Sequence, residues 1–194
     1  MAEKAKPFEG LKEAGEKFKQ LREGIDQVHE LINGLRELAE YRVMVGIPAS
    51  AKPRRSRDGK KEINNATLLF IHEHGSPAAN IPARPSLHPG IRESKREWGE
   101  HLKEAAKAAL ESKESQMIKS FHKAGMVASA AVKKKIIAGI PPPLKPITVA
   151  LRRQRHPSRK ATDPRHVTPL VDTAQMLNAI TYVVQKSGRT VKKV

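Results

Sequence analysis

Between Leu11 and Ala39 the apolar residues fall at Leu11, Ala14, Phe18, Leu21, Ile25, Val28, Ile32, Leu35 and Ala39, in alternating steps of three and four. That spacing is a heptad seam held for about four repeats, and the Glu, Lys, Gln and Arg between its members favour helix. Gly15, Gly24 and Gly34 interrupt the run, each weakening an isolated helix by about 1 kcal/mol relative to Ala. The pattern therefore predicts an amphipathic helix over residues 1–40 that needs a partner surface. Either its own domain or a neighbouring subunit can supply one.

The pattern then shortens. Tyr41 to Ile47 is β-branched and aromatic, which predicts a strand stopped by Pro48. Asn64 to Gly75 opens with capping-type Asn and closes on a Gly suited to a helix end, so a short helix is expected, with a strand as its competitor. Three prolines between Ile81 and Gly90 predict a stiff extended ribbon instead of a helix. Ile91, Trp98, Leu102, Ala105 and Ala109 recur at helical spacing, and Ile118, Phe121, Ala128, Val132 and Ile136 continue the period past a soft junction at Ser112–Ser115. Two helices are expected, with one long helix bent at the junction as the near competitor. Beyond Pro141–Pro143, Ile147 to Leu151 reads as a short strand or an extended arm, and Arg152 to His166 as a turn-rich stretch disordered in the free protein. A short helix at Asp172–Asn178, capped by Asp172 or Thr173, precedes a strand at Ala179–Val184, and the tail from Gly188 should fray. The expected fold is α+β. A small antiparallel sheet packs with helices over residues 41–194, behind a long amino-terminal helix, with basic loops at 48–62 and 152–168.

Charge changes the picture more than composition does. The 194 residues carry 37 Lys and Arg against 20 Asp and Glu, a formal charge of +17. The excess is uneven: net −2 over residues 1–40, +7 over 41–132 and +12 over 133–194. A basic carboxy-terminal part suits nucleic acid or an acidic protein surface. Arg54, Arg55 and Arg57 in the segment Lys52–Lys61, with Arg152, Arg153, Arg155 and Arg159, are the candidate contacts; the first group is equally well read as a solvated loop. The absence of cysteine excludes disulfides, thiolate zinc sites and thiol chemistry. No apolar run approaches the roughly 20 residues of a membrane span. The terminus MAEKAKPFEG lacks a signal peptide's apolar stretch, so the chain is expected to stay where it is made.

A catalytic constellation is not apparent. His72-Glu73-His74 suggests a metal, but on a helix residues i and i+2 point about 200° apart, and no further ligand cluster lies nearby in sequence. Neither a G-x-S-x-G elbow nor a phosphate-binding G-x-x-x-x-G-K-[ST] loop is present. Asp172 is isolated among basic residues, which helix capping explains. No enzyme, metal or cofactor is expected.

Two blocks resemble a known group. Asn65 to Pro77 (NATLLFIHEHGSP) followed by Ile81 to Ile91 (IPARPSLHPGI) is similar to the "A-x-x-x-E-F-G … I-P-A-R-P-F-L-R-P" signature of tailed-bacteriophage neck and tail-completion proteins, which include head–tail joining and Mu-type virion morphogenesis proteins. Pro169 to Val184 resembles the "P-L-x-D-T-G-x-L-x-x-S-I" block of the same group. His74, Ser86, His88 and Ala174 stand where the group has Phe, Phe, Arg and Gly, and Ala174 disfavours a left-handed turn.

The resemblance implies a structural virion protein assembled in the host cytoplasm. It would form a six-fold or twelve-fold homo-oligomeric ring between the portal-side connector and the tail-terminator or tail-tube proteins, around the channel for genomic DNA. A closed ring of identical chains needs two different contact surfaces on each. The candidates are the seam (Phe18, Leu21, Ile25, Val28, Ile32, Leu35) and the ribbon with its preceding acid (Glu73, Ile81, Pro82, Arg84, Pro85, Leu87). Arg84 would pair bidentately with a neighbour's carboxylate, or fix the ribbon through an internal salt bridge. The competing reading is a free nucleic-acid-binding protein, which would show steep salt dependence. Against it, the basic stretches lack interleaved aromatics, and no helix-turn-helix or zinc-finger pattern occurs.

Overall fold

The computed structural model describes residues 7–48, 51 and 63–191, with side chains from Lys12 onward. Helix α1 spans Pro7–Glu40 and runs straight into strand β1, Tyr41–Gly46. Helix α2 covers Asn65–His74, α3 Leu87–Glu93, α4 Lys95–Leu110, α5 Glu114–Ile137, α6 Pro146–Arg155 and α7 Gln175–Ala179. Strands β2 (Thr181–Lys186) and β3 (Arg189–Thr190) complete an antiparallel sheet of order β1-β2-β3. The α+β fold and the long amino-terminal helix are as the sequence predicts.

Local chemistry accounts for the boundaries. The Asn64 side chain accepts from the Thr67 N–H at 2.7 Å and starts α2. Between α4 and α5, Lys113 N–H donates to Ala108 O and Ser112 N–H to Ala109 O, with Ser112 at φ 54. This is a Schellman closure that separates α4 from α5, whereas Ile91, the first member of the long apolar period, lies in α3 before the break at Ser94. Ser187 and Gly188, both at positive φ, turn β2 into β3, and the Val191 N–H still donates to Val184 O at 2.8 Å, so the tail is paired as far as Val191.

Helix α5 organises the interior. Its first half contributes Met117, Ile118 and Phe121 to a cluster with Ala105, Ala108 and Ala109 of α4, Tyr41 of β1 and Val184 of β2. Its second half contributes Val132 and Ile136 to a cluster with Ile140, Val171, Leu177 and Ile180. The register Val43↔Val184 and Val45↔Tyr182 lays the sheet along both.

Three expectations need correction. Residues Leu87–Gly90 are helical, not ribbon: Pro89 occupies the first turn of α3, where its missing N–H costs nothing. Ile147–Leu151 is helical, neither strand nor extended arm, and α6 carries the basic stretch to Arg155 before the loop begins. Neither Asp172 nor Thr173 caps α7; its first flanking residue is Ala174, in the left-handed region at φ 58 despite its Cβ.

Candidate assembly surfaces

The seam of α1 is bare. Every residue from Lys12 to Asn33 is exposed, a helical length of about 33 Å. Phe18 is 73% exposed and Leu21 61%, and Ile25, Val28, Ile32 and Leu35 are likewise open to solvent, as is Leu31 beside them. The helix touches its own body only through the last turns, and by a different face. Gly34 is buried against the Ala109 carbonyl of α4, where a Cβ would collide. Leu38 packs on the first core cluster. Lys186 Nζ bonds Glu37 at 2.6 Å and Glu114 at 3.2 Å, tying α1, β2 and α5 together. These contacts raise the Lys186 pKa, chiefly through the Glu37 hydrogen bond. Of the two expected surfaces, the helix's own domain is therefore excluded for most of the seam.

The ribbon is now residues 82–86, and it is fastened from within. Ser76 pairs with Ile81 and Arg84 N–H donates to His72 O, so the chain doubles back along the end of α2. The Glu73 carboxylate accepts from the backbone N–H groups of Ser86 (2.6 Å), Leu87 (2.9 Å) and His88 (3.0 Å), and from the His88 ring nitrogen at 2.9 Å. These are the orphan donors at the start of α3, so a residue of α2 caps a helix that begins 14 positions later. Burial alone would raise the Glu73 pKa, but the hydrogen bonds outweigh it and hold the carboxyl below its ordinary value.

Arg84 is buried as well. Its guanidinium donates to the carbonyls of Pro142 (2.9 Å) and Pro143 (3.2 Å), so its partners are backbone oxygens, not a carboxylate. It joins the ribbon to the segment before α6 and is no surface joint. Glu73 and Arg84 thus leave the list of contact residues; Pro82 and Pro85 remain exposed, with Ile81 and Leu87 half-buried. Leu87 packs on the second core cluster. Behind the ribbon lies an open cavity of about 1380 Å³, bounded by Leu68, Ile81, Pro82, Leu144, Arg84 and Arg152.

The carboxy-terminal basic stretch is ordered by its own arginines. Arg152 is buried and donates to the carbonyls of Arg165 (2.9 Å) and Thr168 (2.8 Å), which folds the following loop back on α6. Asp172 gathers Arg159 (3.4 Å), His156 (3.1 Å) and Arg155 (3.7 Å). The lone acid of a cationic region is a hub that ties the end of α6 and the loop after it to the segment before α7, and it does not cap a helix. Arg153 and Arg155 stay exposed. Arg54, Arg55 and Arg57 lie outside the described residues.

Among the described residues, no group of three or more His, Cys, Asp or Glu side chains converges as a metal set. His74 packs against Phe70 in a tilted ring pair, ring centres 4.4 Å apart, with Nδ1 at 3.0 Å from the Phe70 carbonyl. No helix among the described residues is long and apolar enough to cross a membrane. No family model, curated protein or solved structure matches the chain. The likeness to phage neck proteins therefore stands on the quoted blocks alone.

Proposed function

We propose that this chain is a structural subunit of a tailed-phage neck, joining rings of identical copies to adjoining layers of the virion around the DNA channel. The observation that carries the proposal is the bare seam of α1. Burying one large aliphatic side chain is worth about 1.5–3 kcal/mol, and six seam residues from Phe18 to Leu35 are left in water. A helix of this kind is completed by another chain. The exposed prolines of the ribbon, held stiff by Glu73 and Arg84, supply a second and different surface, and little ordering is needed for it to dock. A basic body of this size suits acidic neighbours as well as the phosphates of passing DNA.

The test is imaging. The purified protein, alone and mixed with connector and tail subassemblies of a tailed phage, is examined by negative stain and co-sedimentation. The proposal expects rings or incorporation into particles, and expects Leu21→Asp to abolish incorporation, because the seam is what engages the adjoining layer. A protein that ignores every subassembly, and binds duplex DNA with an affinity falling about 10³–10⁵-fold between 50 and 200 mM salt, would instead be a nucleic-acid-binding protein.

A further inference from the structure

The heptad frame of α1 places Phe18, Ile25 and Ile32 at position a and Leu21, Val28 and Leu35 at position d. The flanking e positions are then Gly15, Arg22, His29 and Arg36, and the g positions Lys17, Gly24, Leu31 and Leu38. No acid stands at any of them. The acids of the helix fall at far-side positions of the same frame, Glu9, Glu16, Glu23, Glu30 and Glu37 at successive f positions, Asp26 and Glu40 at b and Glu13 at c. The seam is thus an apolar strip with cations along its edges.

This arrangement discriminates between occupants. In a parallel pair with a second copy, Lys17 faces Arg22 of the other helix, and no g–e pair is attractive. In an antiparallel pair the e positions face each other, setting Arg22 and Arg36 against their own kind. The body of a second copy fits no better, since residues 41–132 and 133–194 carry +7 and +12. Like charges at the rim of an apolar contact exclude wrong partners while leaving the right one its attraction.

We infer that α1 docks on a different polypeptide, an amphipathic helix whose own apolar seam is edged by Glu or Asp, and not on another copy of this chain. The inference deepens the neck proposal by naming what α1 holds, but its test needs no virion component, so either can fail alone.

The probes are two synthetic helices of about 28 residues, four heptads with Ile at a and Leu at d. One carries Glu at every e and g position, the other Lys. Fluorescence anisotropy with the full-length protein at about 50 mM salt should show the Glu helix binding at least about tenfold more tightly than the Lys helix. Ile25→Asp should abolish that binding with Trp98 fluorescence unchanged. The double variant Arg22→Glu/Arg36→Glu should reverse the preference. Equal binding of both helices, binding of neither, Glu-helix binding that survives Ile25→Asp, or self-association of the wild type that Ile25→Asp abolishes would each overturn the inference.

Discussion

At the scale of single residues, Glu73 shows how one carboxylate can hold two elements. It sits on α2 yet satisfies the first donors of α3, while the adjacent Ser86 makes no side-chain cap bond. Because its folded-state pKa lies below the ordinary 4.5, the unfolded chain takes up the proton first as pH falls. Its contribution is therefore present above about pH 4.5 and is lost as pH drops through the folded value. Glu73→Gln replaces one acceptor oxygen by an amide donor facing other donors. Urea unfolding at pH 7 should show a loss of about 1–3 kcal/mol. The gap between variant and wild type should narrow below pH 4.5, where the wild type is itself being protonated. A constant gap across that range would mean that Glu73 acts by packing alone.

At the scale of elements, legibility follows the range of the interactions. β1, α2 and the α4–α5 pair rest on local signals, the β-branched run, Asn64 and the apolar period; β1 ends one residue early at Gly46, and Ile91, the first apolar position of the period, belongs to α3 instead of α4. α6 is not legible in the sequence because Arg152, which reads as part of a polar basic loop, is buried through side-chain bonds to the carbonyls of Arg165 and Thr168, a loop away. α3 was missed because its cap belongs to another helix. The inward roles of Glu73 and Arg84 are likewise tertiary, invisible in a motif that shows only their spacing. The three glycines of α1 read alike in sequence but are not alike in the fold. Nothing lies within 4 Å of a Cβ built on Gly15 or Gly24, whereas one on Gly34 meets the Ala109 carbonyl. Gly34→Val should therefore push the last turns of α1 off α4, strain the Lys186–Glu37 contact and cost about 1–3 kcal/mol. Gly24→Val should change global stability by no more than about 0.5 kcal/mol. Trp98-monitored urea melts of the two variants decide it; equal effects would mean that α1 is not anchored where Gly34 meets α4.

At the scale of the whole molecule, the structure combines a cooperative body with a helix that joins it only through its last turns. Both hydrophobic clusters share α5, so the body should unfold in one step. Residues 12–33 of α1 are exposed throughout and bury little on folding, and an isolated helix interrupted by glycine is marginal in water. Two probes separate these parts. Trp98, the single tryptophan, is half-buried in the body, its indole N–H donating to Ile91 O at 2.9 Å, and reports the body alone. Far-UV circular dichroism reports all the helices. Urea should therefore produce a gradual early loss of ellipticity, as α1 frays, before one sigmoidal step seen by both probes. Ile136→Ala, at a fully buried position, should move that step by about 2–5 kcal/mol and leave the early slope as it was. The acid-edged helix that α1 is inferred to hold should do the reverse, removing the early slope while shifting the Trp98 step little, because it covers the seam without touching the body. Coincident traces in the free protein would mean that the seam is already occupied, either by a second copy or by the body, and that the exposed helix is not how the chain rests in solution.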